Sequence, residues 1–209
     1  MASEAYDFWL FDLDGTVVDV ERSYQSEVLT EVGDRLGCTF HDAETEGIWH
    51  DTGTVRRDAF RREGVDVDRF WEVFDGVADP ASRAEATYLY DDAAPIAAID
   101  RPVGIVTHCP PAVTRRVLRT LDIADWFATV VCCTPELGMK PDARPVERAI
   151  AGLESPTGRG VLVGDSDHDI GAAWNAGLNG VHIERRDPAA RGYCIHCDRR
   201  VTAVDELVG

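Results

Sequence analysis

The amino-acid sequence predicts an α/β protein in which a doubly wound parallel sheet carries an inserted helical domain. From Pro95 onwards, short apolar strands alternate with amphipathic helices, a pattern that indicates helices on both faces of a parallel sheet. Residues 20–92 are more charged and have apolar residues at every third or fourth position, which indicates helices. The two patterns together predict a core of alternating elements interrupted by a helical segment.

The elements of the sheet follow in order along the chain. Residues 6–13 form an apolar run that ends in Asp-Gly-Thr, which predicts a buried strand followed by a tight turn. Further strands are predicted at 103–107, 127–133, 161–164 and 181–183, the last of these closing the sheet. The helices between them are predicted at 111–121, 144–153 and 170–176.

The predicted domain boundaries follow from the change of pattern. The sheet domain comprises residues 1–18 and 94–209, and the helical domain comprises residues 19–93, with breaks between helices at Gly47, Gly53 and Gly64. Residues 186–209 are expected to form a C-terminal extension.

Composition excludes several classes of partner. The 209 residues contain 38 acidic and 21 basic side chains, a net charge of -17 that repels nucleic acid and anionic membranes. Lysine occurs once and arginine 20 times. Scattered acidic residues with so little lysine indicate a protein adapted to high salt, although a GC-rich genome also favours arginine over lysine.

The sequence is expected to be that of a soluble cytoplasmic protein. It starts without a basic segment followed by an apolar one, and no stretch approaches the ~20 apolar residues needed to cross a bilayer. The six cysteines are expected to be reduced in that compartment. Oligomeric state is left open.

Polar side chains stand at or after the ends of four predicted strands. Parallel strands bring their carboxyl ends to one edge of the sheet, where ligands bind in folds of this class. These side chains are Asp12, Asp14, Thr107, Lys140, Asp165 and Asp169.

These side chains belong to four motifs, which are, in chain order, Asp12-Leu-Asp14-Gly-Thr16, Thr107, Lys140-Pro141 and Gly164-Asp165-Ser-Asp-His-Asp169. Motifs of these types in this order resemble those of the haloacid dehalogenase superfamily, in its phosphatase branch. The resemblance, greatest to phosphoglycolate phosphatases, implies a Rossmann-like core with a helical cap. It also implies Mg²⁺-dependent hydrolysis of a small-molecule phosphate ester.

The carboxylates suit that chemistry. Asp12 can act as a nucleophile that forms an aspartyl-phosphate, and Asp14 can protonate the leaving oxygen and then activate water. The resemblance implies that Asp12, the backbone carbonyl of Asp14 and Asp165 bind Mg²⁺. It leaves Asp169 as either a further ligand or a partner of one.

The remaining core residues are expected to contact substrate. Thr107 offers a hydroxyl and a loop amide to the phosphoryl oxygens, and Lys140 offsets their charge because an ammonium is compact where a guanidinium is broad. Gly15 and Thr16 are expected to contact substrate as part of the first motif. His108 either contacts substrate or is a partly exposed histidine.

Specificity is expected to come from the helical domain. The segment from Gly47 to Arg57 is rich in glycine and polar residues, and His50 or Arg56 in it could face an anionic or hydroxylated substrate. The alternative is a surface turn that leads into a helix.

Two alternative functions stay open at this point. A sugar phosphomutase would use the same Asp12 and Asp14 but pass the phosphoryl group to a second hydroxyl. A binding or sensor protein would instead use Cys194-Ile-His-Cys197, a spacing that fits a zinc site, a redox dithiol or two reduced thiols.

Overall fold

The computed structural model describes residues 6–153, 158–191 and 193–208. Its strands are Phe8–Phe11 (β1), Val18–Val20 (β2), Thr87–Leu89 (β3), Val103–Thr107 (β4), Thr129–Cys132 (β5), Gly160–Gly164 (β6), Asn179–Ile183 (β7) and Arg199–Val201 (β8). Its α-helices are Arg22–Leu36 (α1), Thr45–Trp49 (α2), Val55–Glu63 (α3), Val67–Val77 (α4), Pro80–Glu85 (α5), Pro111–Thr120 (α6), Arg144–Gly152 (α7), Asp167–Asn175 (α8), Pro188–Arg191 (α9) and Asp205–Val208 (α10). Three short 3₁₀ helices cover Asp42–Glu44, Ala94–Ala98 and Ala124–Trp126.

Six strands form one parallel sheet in the order β5-β4-β1-β6-β7-β8. The chain adds β4 and β5 on one side of β1, then returns to add β6, β7 and β8 on the other. Trp9 of β1 is therefore paired in register with Val103 of β4 on one side and with Val161 of β6 on the other. The predicted doubly wound parallel sheet is confirmed, and its order reverses beside β1, where such folds bind ligands.

The centre of the sheet is apolar because it is covered on both faces. All residues of β1, β4 and β6 are buried. One side of the sheet packs Leu10, Val106 and Leu162 against α7 and α8 through Val146, Ala149 and Ala172. Burial of this extent holds the strand ends, and the polar residues that follow them, in fixed positions.

The sheet has one strand more than the sequence predicts. Residues 181–183 were expected to close it, yet β8 pairs with β7 through Val181 and Arg199. The pattern misses β8 because Arg-Arg-Val contains a single apolar residue, and its pairing depends on the edge that β7 presents. At the other edge, the predicted strand 127–133 shortens to β5 because Phe127 ends a 3₁₀ turn.

The chain divides into two compact units. The sheet unit contains Met1–Asp19, Tyr88–Arg186 and Ile195–Gly209, and the helical unit contains Val20–Thr87 and Asp187–Cys194. The helical unit has its own core of apolar side chains from α1 to α4, in which the rings of Phe60 and Phe70 lie 4.6 Å apart.

Of the three predicted breaks between the helices of this unit, Gly53 and Gly64 do lie at breaks, and Gly47 does not. Gly47 lies inside α2, and the preceding break falls at Gly37, which ends α1 in a left-handed conformation. Gly47 is needed for close packing instead, because an added Cβ would lie 2.6 Å from Val55 Cβ in α3. Gly64 does end α3, with φ +66°. Across the described residues, no helix has both the length and the apolar character that a membrane span requires.

Candidate active site

Three aspartates meet at the carboxyl edge of the sheet. Asp12 follows β1, and Asp165 and Asp169 follow β6. One carboxylate oxygen from each lies within 4.8 Å of the others, and this is the one group of potential metal ligands found among the described residues.

Lys140 lies among these carboxylates. Its Nζ is 2.9 Å from Asp12 Oδ1 and 2.6 Å from Asp169 Oδ1, and it donates a hydrogen bond to the carbonyl oxygen of Val106 at 3.0 Å. The side chain is 1% exposed. The three acceptors surround one nitrogen, a geometry that a tetrahedral ammonium satisfies and a planar guanidinium does not.

The loop after β5 brings Lys140 to this position. Thr134 and Gly138 form an isolated antiparallel bridge, and the Lys140–Pro141 peptide bond is cis. The backbone N–H of Lys140 donates to Nε2 of His108 at 2.9 Å. His108 therefore supports the lysine loop, and its contact with substrate stays a prediction.

Asp169 is held in a capping box at the start of α8. Its Oδ2 accepts hydrogen bonds from the backbone N–H of Ser166 at 3.1 Å and from the Ser166 hydroxyl at 2.5 Å, and its Oδ1 receives Lys140. Gly164 makes room for it, because a Cβ there would lie 2.2 Å from Asp169 Cγ. Both oxygens are thus engaged by protein donors, which favours Asp169 as the partner that orients Lys140.

The charges of the site are strongly coupled. Burial raises the pKa of Asp12 to about 8; the ammonium of Lys140 opposes this rise, and Asp169 and Asp165 add to it. Burial would raise the pKa of Asp169, but Lys140 outweighs it and holds that pKa below its usual value. Likewise, the two carboxylates raise the pKa of Lys140 despite its burial.

The charge balance of the cluster fits a divalent cation. When ionised, the three carboxylates carry one negative charge more than the ammonium of Lys140 and the guanidinium of Arg186 balance, and carboxylate oxygens are the ligands that Mg²⁺ prefers. A bound cation would favour the ionised form of Asp12, which is the form that a nucleophile requires.

The first motif forms a tight turn after β1. Gly15 has φ +77°, Asp14 bridges to Val18, and Thr16 is fully buried. Thr107 ends β4, next to β1, and its Oγ1 accepts a hydrogen bond from the N–H of Cys109 at 3.0 Å. Substrate contact by Gly15, Thr16 and Thr107 stays a prediction.

The two predicted specificity residues have partners inside the helical unit. Arg56 donates to the carbonyl oxygens of Ile48 and Trp49 and pairs with Asp51. The Nε2 atoms of His50 and Gln25 are 3.4 Å apart. These contacts give Arg56 a structural role in joining α2 and α3, while substrate contact by either residue stays a prediction.

The cysteine motif gives no support to a zinc site. All six cysteines lie within the described residues and form no disulfide. Cys194 is exposed and Cys197 is half-buried, and within the part of the chain that the structure describes neither belongs to a group of three potential metal ligands.

One residue of the site was missed from the sequence. Arg186 donates to Asp165 Oδ2 at 2.5 Å and lies within 3.3 Å of Asp19 Oδ2. It comes three residues after the end of β7, a position that places it at the edge of the sheet but does not identify its partners.

Comparisons with known proteins identify the family and the fold. A model of the haloacid dehalogenase-like hydrolase family matches residues 9–183. Pyrophosphatase PpaX of Anoxybacillus flavithermus is 26% identical over 175 residues, covering 80% of this chain and 79% of the relative. Phosphoglycolate phosphatase of Yersinia pseudotuberculosis is 27% identical over 182 residues, covering 80% and 76%. The crystal structure of a HAD phosphatase from Thermococcus onnurineus aligns with a TM-score of 0.68 at 25% identity, covering 96% of this chain and 95% of that one.

The family match includes Asp12, Lys140, Asp165 and Asp169, and it runs from within β1 to the end of β7. It thereby confirms the resemblance seen in the motifs. The chain belongs to the haloacid dehalogenase-like hydrolase family.

Proposed function

We propose that this protein is a Mg²⁺-dependent phosphatase that hydrolyses a small phosphorylated metabolite through an aspartyl-phosphate on Asp12. The observation that carries the proposal is the placement of Lys140, buried between Asp12 and Asp169, with Asp165 in the same cluster. A site of this kind joins a carboxylate nucleophile to fixed positive charge, which hydrolysis of a phosphate monoester demands.

The proposed reaction has two steps on this chain. A carboxylate oxygen of Asp12 attacks phosphorus, the bond to the ester oxygen breaks, and that oxygen takes a proton from the Asp14 carboxyl. The Asp14 carboxylate then takes a proton from water, and the water oxygen attacks the phosphorus of the aspartyl-phosphate. The bond between phosphorus and the Asp12 oxygen breaks, which restores the Asp12 carboxylate and releases inorganic phosphate.

The cation would be held by Asp12, Asp165 and the backbone carbonyl of Asp14. When bound, Mg²⁺ neutralises negative charge on the transferring phosphoryl group and on the carboxylates around it. Asp169, whose oxygens are engaged by Ser166 and Lys140, orients the ammonium instead. The ammonium of Lys140 offsets the negative charge of the phosphoryl oxygens, and Thr107 binds them.

The names of the relatives indicate two substrates to test. One relative is a phosphoglycolate phosphatase and another is a pyrophosphatase. Phosphoglycolate and pyrophosphate are both small anions with a terminal phosphoryl group, and both would meet the same Asp12, Lys140 and cation. Sugar phosphates complete the set of proposed substrates.

The test is release of inorganic phosphate from phosphoglycolate, pyrophosphate and a series of sugar phosphates, with Mg²⁺ in molar KCl. Wild-type protein is expected to release phosphate, and Asp12→Asn or EDTA is expected to abolish the release. Asp167→Asn is the matched control, because Asp167 is an exposed carboxylate at the start of α8, between Asp165 and Asp169 in the chain. Its release is expected to match that of wild type.

The proposal fails if Asp12→Asn releases phosphate as fast as wild type. Conversion of a sugar phosphate to its isomer without phosphate release would identify a phosphomutase. Release that survives EDTA would contradict the role of the cation.

A further inference from the structure

Arg186 forms a buried contact with one of the carboxylates that the proposed function assigns to the cation. Its side chain is 10% exposed, and so is that of Asp165. The guanidinium donates from Nη1 to Asp165 Oδ2 at 2.5 Å. With Oδ2 engaged in this way, Oδ1 is the oxygen that Asp165 has available for a cation.

A second carboxylate fixes the other side of the guanidinium. Arg186 Nη2 lies 3.3 Å from Asp19 Oδ2, and the hydroxyl of Tyr90 donates to the same oxygen at 2.6 Å. Asp19 is 8% exposed. Arg186 therefore spans two buried carboxylates, so the guanidinium cannot turn away from Asp165 without leaving Asp19.

The turn after β1 limits the space around this pair. A Cβ at Gly15 would lie 2.5 Å from Asp165 Oδ2 and 3.1 Å from Arg186 Nη2. The glycine of the first motif is therefore needed so that the Arg186–Asp165 pair can pack against the backbone beside the nucleophile. Gly15, Asp19, Tyr90, Asp165 and Arg186 all belong to the sheet unit.

We propose that Arg186 is a positioning residue for the divalent cation. It holds Asp165 through Oδ2 and directs Oδ1 to the cation. This inference rests on the proposed function, because it assigns a task to Arg186 only if Asp165 is a ligand. Hydrogen bonds to the outer oxygen of a metal-binding carboxylate restrict its rotation, and their loss typically lowers metal affinity or activity about 10- to 100-fold.

The test measures Mg²⁺ and Mn²⁺ binding directly, by isothermal titration calorimetry without substrate. For Arg186→Gln we expect a dissociation constant roughly 10- to 100-fold higher than that of wild type. In phosphate-release assays, kcat is expected to recover towards that of wild type as Mg²⁺ is raised to saturation. An Arg186→Gln variant that binds the cation as tightly as wild type overturns the proposal.

The matched control is Arg185→Gln. Arg185 is the adjacent arginine, is 7% exposed in its side chain, and pairs with Asp92 and the Thr16 carbonyl rather than with Asp165. The Arg185→Gln variant is expected to have a lower melting temperature than wild type and to bind the cation with wild-type affinity. If both variants weaken binding equally, the effect is a general loss of structure after β7 and the proposal is wrong.

A second variant covers the case in which Arg186→Gln does not fold. Arg186→Lys keeps the charge, but an ammonium cannot span Asp165 and Asp19 together. Affinity between those of wild type and the glutamine variant is expected, and wild-type affinity overturns the proposal. Failure of the proposed function looks different, because wild-type protein would then release no phosphate from any ester while the calorimeter still compares the cation affinities of wild type and variants.

Discussion

At the scale of single residues, the only lysine of the chain occupies the most crowded position in the site. Its Nζ contacts two carboxylates and a carbonyl oxygen, and the side chain is 1% exposed. Exposed positions in this protein carry arginine in its place, as Arg35 and Arg69 do on the helices. A compact ammonium is therefore retained where the geometry excludes a guanidinium.

Lys140→Arg is accordingly expected to lower kcat at least about 100-fold, the usual effect of removing one donor that stabilises developing charge. The planar group is too broad for the position and displaces Asp12 or Asp169. Phosphate release with saturating Mg²⁺ measures the effect. Arg35→Lys on α1 is the control, because it exchanges arginine and lysine at an exposed position, and it is expected to leave kcat unchanged. A rate for Lys140→Arg near that of wild type would refute the role given to Lys140.

The role of Asp14 can be separated from that of Asp12 with an ester whose leaving group departs without a proton. With 4-nitrophenyl phosphate, Asp14→Asn is expected to release one nitrophenolate per chain rapidly. Turnover then slows by about 10²- to 10⁴-fold, because no carboxylate accepts the proton from water. Mass spectrometry is expected to find one phosphoryl group on the peptide that contains Asp12. If Asp14→Asn slows the first release of nitrophenolate and the later turnover by the same factor, Asp14 does not act on the second step.

At the scale of elements, packing between helices outweighs helix propensity at Gly47. Alanine favours a helix over glycine by about 1 kcal/mol, yet a Cβ at position 47 would lie 2.6 Å from Val55. Gly47→Ala is expected to destabilise the protein by about 1–3 kcal/mol, as overpacked substitutions do. Gly76→Ala in α4 is the control, because a Cβ there meets no atom within 4 Å, and it is expected to stabilise by about 0.5–1 kcal/mol. Urea denaturation measures both, and equal effects would contradict the packing argument.

The arrangement of strands and helices also explains which features could be predicted from the sequence. Asp12, Lys140, Asp165 and Asp169 were identifiable because each follows an apolar strand, and strand ends of a parallel sheet meet at one edge. The strand β8 was not identifiable, since Arg-Arg-Val has no pattern of its own. Gly47 is found inside α2 because Val55 of α3 packs closely against it, and this contact cannot be predicted from the spacing of residues in the sequence.

The role of Arg186 also could not be predicted from the sequence. Its partners Asp165 and Asp19 lie 21 and 167 residues away in the chain, and an arginine after a strand has many possible roles. Only the fold brings these three side chains together. The assignment of Asp169 has the same origin, because the engagement of both its oxygens by Ser166 and Lys140 is a property of geometry.

At the scale of the whole molecule, 38 acidic and 21 basic residues give a net charge of -17. Repulsion at this charge destabilises the compact state, and it is screened as the Debye length falls from about 10 Å at 0.1 M salt to about 3 Å at 1 M. The melting temperature is therefore expected to rise with KCl, by about 2–4 °C for each kcal/mol of repulsion removed. KCl is preferable to sulfate, which also strengthens apolar burial. A melting temperature that does not change between 0.05 and 2 M KCl, roughly the range over which this screening is completed, would contradict adaptation to salt.

The position of β1 at the centre of the sheet has a consequence for synthesis on the ribosome. Phe8–Phe11 is made first, but its two neighbours begin at Val103 and Gly160. At ~5–20 residues per second, this apolar strand waits roughly 7 to 30 s for its second partner. The segment Val20–Thr87 emerges in the meantime and can complete its own apolar core. The nascent chain therefore has a packed helical core while the Phe-Trp-Leu-Phe strand is still unpaired, which makes that strand the point where a chaperone would be needed.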